Sequence, residues 1–339
     1  MPLTVAELAE LVAGKLEGDG AARITGVAPL ASAGPSDLAF FSDRRHGRAL
    51  AACRAGVVLL PPSTAAPRGL AAIRVKDPKK AMILAIRALK LEDTEPPFRG
   101  VHALAFVDEG ATLGEGVVAS PFATVCRGAR IGDACVLYPG AFVDRDAVLG
   151  RGCVLFPHAC VMHRCRLGND VVLGPGAVVG HRGFGFHPTA EGLMRVPQLG
   201  TVIVEDGVCL GANTTVDRAG FDATVVRRGA ALDNLIHVAH NCSVGEHTAI
   251  AALTGVAGGT KIGARCMIAG HVGIAGHVEI GDGAVIGAKS GVAGSVPAGA
   301  TVSGLYAREH GRALREYAAI GHLPELLRRV RELEKKLRE

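Results

Sequence analysis

The sequence predicts a mainly β chain: a parallel β-helix of hexapeptide repeats, preceded by a small N-terminal α/β domain and followed by a C-terminal helical tail. Three observations carry this. From Val107 to Val292 an aliphatic residue returns at every sixth position, as in Val125, Ile131, Leu137, Val143 and Leu149, and later Val238, Val244, Ile250 and Val256. Four places after most of these markers stands a small residue, such as Ala129, Cys135, Ala141, Ala147 or Cys153. Residues 1 to about 100 ignore the rule. A six-residue unit cannot bury its one apolar side chain until another coil stacks on it, so the period requires a solenoid. Three such sides close a triangular coil, the aliphatic residue points inward, and the small residue is expected to let the chain turn. Residues separated by multiples of about eighteen then share a face, with coils about 4.8 Å apart.

Composition narrows the class. The 339 residues leave room for more than one domain, and 20% charged residues with a mean hydropathy of +0.30 describe a well-buried globular protein with 46 Gly and no Trp. No basic leader with an apolar core opens the chain, and no apolar run approaches the roughly 20 residues of a bilayer span, so no transmembrane segment and a cytoplasmic location are expected. The nine Cys form no CxxC pair, and Cys135, Cys153, Cys165, Cys242 and Cys266 fall on the small-residue position, which reads as packing. A net charge of +5 without a clustered basic face argues for no nucleic-acid partner.

Taken in order, Val5, Leu8, Leu11 and Val12 mark a first helix, and short apolar runs at Ile24–Val27, Ala39–Phe41, Gly56–Leu60 and Ala71–Val75 mark strands. A helix is expected over Pro78–Leu91, with Asp77 as N-cap and Pro78 at its first position. Phe40, Asp43 and His46 follow one strand end at three-residue intervals, and by themselves read as a capped helix start. Pro96 and Pro97 close this domain, which is drawn at residues 1–100, before the solenoid at 101–305 and the tail at 306–339.

The period breaks at residues 181–200, a polar, Gly-rich stretch with Phe184 and Phe186 flanked by glycines. Such insertions usually carry a binding surface, although a tolerated loop is the plainer alternative. It breaks again at Asp217–Val225. The stretch most suited to chemistry is Leu232–Gly245. His240 lies two places past its marker Val238 and so faces outward near a corner, and His277 stands two coils and one residue further on. The two are expected on one edge, about 10 Å apart. Histidine suits proton transfer near neutral pH, and Asp233 stands close enough in sequence to orient one of them. A zinc site drawing on His240, His247, His271 and His277, as in hexapeptide enzymes of the carbonic anhydrase type, is the competing reading, and a non-catalytic UDP-sugar scaffold is a third.

Four motifs in order, PQLG at 197–200, GANTTVDR at 211–218, LDN followed by AHN at 232–241, and AGHVEIGD at 275–282, stand behind the N-terminal domain. Together they resemble the UDP-3-O-(3-hydroxyacyl)glucosamine N-acyltransferase family of lipid A biosynthesis over nearly the whole chain. The resemblance to hexapeptide proteins implies a left-handed helix and a homotrimer. It further implies transfer of a (3R)-hydroxyacyl group from acyl carrier protein to the 2-amine of a UDP-linked, O-acylated glucosamine, with no cofactor, no metal and no covalent acyl-enzyme. Residue by residue, His240 matches the general base, Asp233 its supporting carboxylate, and Gly258 the backbone donor to the oxyanion. His277 matches a substrate-positioning histidine, while Asn241 and the loop phenylalanines Phe184 and Phe186 are taken as substrate contacts.

Phe40, Asp43 and His46 align with a uracil-contacting aromatic, Asn and Tyr. The chain keeps the aromatic and changes the other two, and Arg182 stands where the family commonly has Asp. A carboxylate cannot donate the hydrogen bond an amide offers, whereas an arginine can reach a phosphate.

After the solenoid, Leu323, Leu326, Val330, Leu333 and Leu337 are spaced three, four, three, four, a short heptad seam. It is expected either to bundle in a trimer or to fold back on its own solenoid. Its basic residues offer a contact for an acidic carrier protein.

Overall fold

The computed structural model describes residues 2–91, 96, 98–304 and 307–338, the Arg44 side chain apart, so Pro97 and the expected boundary at 305/306 lie outside the described residues. The chain forms two compact units, Met1–Glu95 and Pro96–Glu339.

In the first unit, a β1 (Leu3–Thr4) and β3 (Arg23–Ile24) pair flanks α1 (Val5–Leu11), whose N-cap Thr4 forms a reciprocal capping box with Glu7. A five-stranded mixed sheet contains β2 (Lys15–Glu17), β4 (Gly26–Val27), β5 (Asp37–Phe40), β6 (Val57–Leu60) and β7 (Ala71–Arg74), in the order β2-β7-β6-β5-β4. All neighbours are parallel except β2, which runs against β7. Strand β6 reads VVLL because it is covered on both faces. Val57 and Leu59 pack with Leu8, Ala81 and Ala85, while Val58 and Leu60 pack with Ala33, Phe41 and Leu50. A short α2 (Gly47–Ala51) precedes β6, and α3 spans Pro78–Leu89. As expected, Asp77 caps α3, accepting from the Lys80 N–H at 3.0 Å, and Lys90 ends it in the left-handed conformation.

The second unit is a prism of three parallel sheets with ten, ten and nine strands, most of them two residues long. Each marker is the inward residue of its strand. Val125, Leu137, Val143, Leu155 and Val161 are completely buried and pair with the marker eighteen residues away, as Val125 does with Val143. The expected role of the small residue shifts by one place. The corner itself is made by the residue before it, which adopts positive φ whatever its type: Gly128, Ala134, Asp146, His158 and Asp170. The small residue, as at Ala129, Cys135 and Ala147, lies fully buried beneath the corner. Two buried thiols donate there to carbonyls of the next coil, Cys135 to Gly150 and Cys153 to Gly168.

The lattice offset grows at both expected breaks. Val172 pairs with Cys209 at an offset of 37 residues instead of 18, which leaves 19 extra residues, and Cys209 pairs with Ala231 at an offset of 22, which leaves four. The larger insertion is not a structureless loop. It holds an antiparallel hairpin of Phe186–Thr189 and Gly192–Arg195, rising from the lengthened strand Val178–Arg182. Among the described residues of the tail, one helix, α4 (His310–Arg338), is formed. None of its described residues is buried, so its heptad seam is not folded onto the solenoid; Leu323, Val330 and Leu333 are exposed. No helix among the described residues is long and apolar enough to cross a membrane.

Candidate active site

The lengthened strands around the insertion build a cleft of about 710 Å³. Its floor comes from Val178, Thr215, Asp217 and His237 on adjacent strands, and its rim from Arg182, Gly183, Phe184, Phe186 and Arg195. The Phe184 and Phe186 rings meet edge to face at 5.1 Å, and both are exposed.

His240 stands where the hairpin base meets the solenoid. Its half-buried ring is wedged between two glycines, since a Cβ on Gly183 would lie 2.9 Å from its Cβ and one on Gly258 would lie 2.8 Å from both Cε1 and Nε2. Only glycine fits on either side. The ring's tautomer follows from Asn241, which occupies the corner at φ 61°. Its Oδ1 accepts from the Gly220 N–H at 3.0 Å while its Nδ2 donates to the Phe221 carbonyl at 3.2 Å, so backbone groups on both sides fix the amide. With Oδ1 an acceptor, His240 Nδ1 at 3.1 Å must carry the proton. Nε2 is then the free base and faces Gly258.

Asp233 does not do what the sequence reading expected of it within one chain. Its carboxylate accepts from the backbone N–H groups of Asn234 at 2.8 Å and Ala252 at 3.2 Å. It lines a separate apolar groove of about 600 Å³ with Ala231, Ala249, Met267, Val285 and Gly287. It follows a strand on one face of the prism and His240 follows a strand on the next, which puts them at different corners. Asn241, read as a substrate contact, is the group that orients the His240 ring.

His277 shares the edge of His240 but not its lattice position. The two are linked through the intervening coil: Gly259 N–H donates to the His240 carbonyl, and His277 N–H to the Gly258 carbonyl. The His277 ring lies over Gly259, where a Cβ would approach Nδ1 to 2.4 Å. His247 lies over Gly229 in the same way, so His247 and His277 are corner residues. Among the described residues, no three His, Cys, Asp or Glu side chains of this chain converge on a point that could hold a metal.

In the first unit, Phe40 is half-buried against the core beneath α1 and α3. Asp43 accepts from the Arg45 N–H and binds its guanidinium at 2.6 and 2.9 Å. This starts the 3-10 turn Arg44–His46, as the capped-start reading expected. The Arg45 hydrogen bonds hold the Asp43 carboxyl at about 2.

Two groups escaped the sequence reading, although both lie in the quoted GANTTVDR motif. Asp217 is buried on the cleft floor with His237 Nε2 at 3.6 Å, and Thr215 Oγ1 is 2.8 Å from His237 Nδ1. Burial pushes the Asp217 carboxyl up, while the positive forms of His237, His181 and His240 pull it back. Arg218, only 1% exposed, clamps the insertion at both ends by donating to the Gly180 carbonyl at 2.8 Å and the Gly200 carbonyl at 3.4 Å. It also donates to the His163 carbonyl at 3.0 Å, and its Nη1 lies 2.7 Å from His163 Nε2. A guanidinium cannot accept, so His163 accepts and is neutral. Burial and Arg218 push the His163 pKa down.

A family model described as UDP-3-O-(3-hydroxymyristoyl) glucosamine N-acyltransferase matches residues 21–88, and a bacterial transferase hexapeptide model matches residues 146–181 and 259–294. UDP-3-O-acylglucosamine N-acyltransferase of Syntrophotalea carbinolica is 50% identical over 336 residues, covering 99% of this chain and 97% of that protein. The Porphyromonas gingivalis protein of the same name is 43% identical over 256 residues, 76% of this chain and 73% of that one. Among solved structures, Arabidopsis UDP-N-acetylglucosamine acyltransferase matches with a TM-score of 0.54 at 23% identity, over 60% of this chain and 71% of that one. That likeness is one of fold: a left-handed parallel β-helix. With half of its residues identical to a relative that it spans almost end to end, the chain is an acyltransferase and belongs to the UDP-3-O-acylglucosamine N-acyltransferase family.

Proposed function

We propose that the protein transfers a (3R)-hydroxyacyl group from acyl carrier protein to the 2-amine of UDP-3-O-(3-hydroxyacyl)glucosamine, a step of lipid A synthesis in the cytoplasm, with His240 as general base. The observation that carries this reading is the His240 ring itself: its Nδ1 proton is committed to Asn241, and its Nε2 is left free beside Gly258, whose backbone N–H donates to nothing among the described residues. A thioester is already activated, so the chemistry needs a base for the amine and a donor for the oxyanion, and both stand together here. The amine nitrogen attacks the thioester carbonyl, His240 Nε2 takes its proton, Gly258 N–H steadies the oxygen, and collapse expels the thiolate, which leaves with that proton as a thiol. No group of the enzyme is acylated.

The trimer enters through the faces of the prism. One presents Val154, Val172, Ala249 and Met267 outward, and the next Phe142, Cys160, Gly255 and Gly273, whereas the third carries Arg130, Arg166, Lys261 and Glu279. One uncharged face, and a second whose charges are confined to the cleft strands, fit closure around a threefold axis, and the exposed seam of α4 fits a three-helix bundle. In that arrangement the apolar groove beside Asp233 of one copy meets His240 of the next and takes the acyl chain, and His277 and Asn241 border the same seam. Arg182 and Arg195 suit the diphosphate, and Phe40, Asp43 and His46 the uracil. The basic residues of α4 suit an acidic carrier protein.

The deciding experiment supplies 3-hydroxyacyl carrier protein and UDP-3-O-acylglucosamine and follows the N-acylated product by mass spectrometry. The wild type is expected to turn over with or without chelator, and His240→Ala to lose about 10²–10⁴ in kcat. No product from a folded, trimeric wild type would sink the substrate assignment.

A further inference from the structure

Asp217 has no role in the mechanism above, yet it is the most unusual polar group in the cleft. Its side chain is only 6% exposed and lines the cleft floor. Among the described residues nothing donates a hydrogen bond to it. The nearest cationic group, His237 Nε2, stops at 3.6 Å, and the other nitrogen of that ring is engaged with Thr215. Buried polar groups are almost always hydrogen-bonded, and an ionised carboxylate has room for about four donors. An orphaned carboxylate facing a cleft is therefore shaped for donors that arrive with a ligand. The groups around it grade from floor to rim: the imidazoles of His237, His181 and His240 near the carboxylate, the guanidinium cations of Arg182 and Arg195 at the opening. A ligand that satisfies both ends carries N–H donors and positive charge at one end and an anionic group at the other.

Resting on the acyl-transfer reading, we propose that Asp217 binds the acceptor amine in its ammonium form and makes the enzyme selective for an amine over a hydroxyl. An ammonium offers three N–H donors and a full charge, where a hydroxyl offers one donor and none. The bound ammonium releases one proton to solvent. The neutral amine then forms the C–N bond as the C–S bond breaks, and its second proton passes through His240 to the departing thiolate. The products are amide, thiol and one free proton. Because burial raises the Asp217 pKa, its charge is lost as pH falls through that raised value, and acceptor binding should weaken there.

The test compares full-length wild type with the near-isosteric Asp217→Asn variant, and with His237→Gln, in two assays. Calorimetry measures binding of UDP-glucosamine and of UDP-glucose, which has a hydroxyl in place of the amine. Kinetics measure KM for the acylated acceptor and for acyl carrier protein across pH. We expect Asp217→Asn to weaken the amine ligand by about 10- to 100-fold, leave UDP-glucose nearly unchanged, raise the acceptor KM alone, and remove the low-pH weakening of amine binding when calorimetry is repeated across pH. His237→Gln should leave the amine preference intact. A folded Asp217→Asn protein that still prefers the amine overturns the inference while leaving acyl transfer standing. Asp217-dependent amine binding by a wild type that forms no product overturns acyl transfer and leaves the inference standing. No binding of either nucleotide sugar overturns both.

Discussion

Two corners of the same solenoid show how a site is cut from a repeating lattice. At several corners, the second N–H after the inward aliphatic residue is capped by a side chain one coil on. Glu115 N–H donates to Asp133, Arg151 to Asn169, Ala212 to Asn234 and Ala264 to Asp282, at 2.7 to 3.1 Å. At the corner of His240 the capping positions are Gly258 and then Gly276, because Val238, Val256 and Ile274 are in register. Neither glycine has a side chain, and among the described residues the N–H groups of His240 and Gly258 donate to nothing. The glycines thus do two jobs, freeing a donor and leaving room for an imidazole.

The sharpest way to break this contrast is to make the site corner ordinary. Gly276→Asp places a cap where Asp282 caps Ala264, and a Cβ at 276 would lie 3.0 Å from the Gly258 carbonyl, tight but outside the His240 ring. With the Gly258 N–H occupied, kcat should fall about 10²–10³-fold, the loss expected for one oxyanion donor. Thermal unfolding should move little. An active Gly276→Asp enzyme would remove Gly258 from the mechanism.

Arg218 separates the two regions in another way, since it ties the insertion to the lattice. Arg218→Met leaves the Gly180, Gly200 and His163 carbonyls without their buried donor. We expect a loss of about 3 kcal/mol in unfolding free energy. Amides of residues 186–195 should exchange faster while those of Val125 and Val143 do not. Turnover should drop about tenfold as Gly183 leaves the His240 ring. Uniform exchange along the chain would show that Arg218 does not hold the hairpin.

The smallest effect is the most discriminating between histidines. His247 and His277 stack on their glycines alike, with a glycine Cβ meeting Nδ1 at 2.4 Å in both. Each alanine variant should cost about 1 kcal/mol of stability, typical of a single substitution. Only His277→Ala should raise KM for the acceptor. Equal kinetics in the two variants would make His277 a corner residue and nothing more.

The period, both insertions and the Asp77 cap were legible because each rests on a local signal or on the repeat arithmetic, whereas Gly258 was singled out only through the family resemblance. That arithmetic fails across the insertions. Val178 pairs with Thr215 and Thr215 with His237 at offsets that no period announces, so the Asp217–His237 floor and the Arg218 clamp stayed hidden inside a motif that had been quoted whole. Strand β2 was missed for a related reason. Lys15–Glu17 has no apolar alternation of its own and exists by pairing with β7 at the sheet edge. Asp233 was assigned to the base by nearness in sequence, but seven residues of this solenoid span a whole side of the prism and end at another corner.

The architecture of the second unit therefore follows from the chain alone, because a strand with one inward aliphatic residue has a single way to bury it and repeats that solution coil after coil. Which histidine is placed to serve as a base does not follow. His240 and His247 differ by a few residues in sequence, and a corner seen in isolation treats both as exposed imidazoles. Only the folded molecule brings Asn241 to one ring nitrogen, Gly183 and Gly258 to its two sides, and a buried carboxylate into the adjoining cleft. Those contacts join residues tens of positions apart across two insertions, and the free energy that selects a tautomer or raises a pKa depends on such distances and on burial, which a linear pattern does not contain.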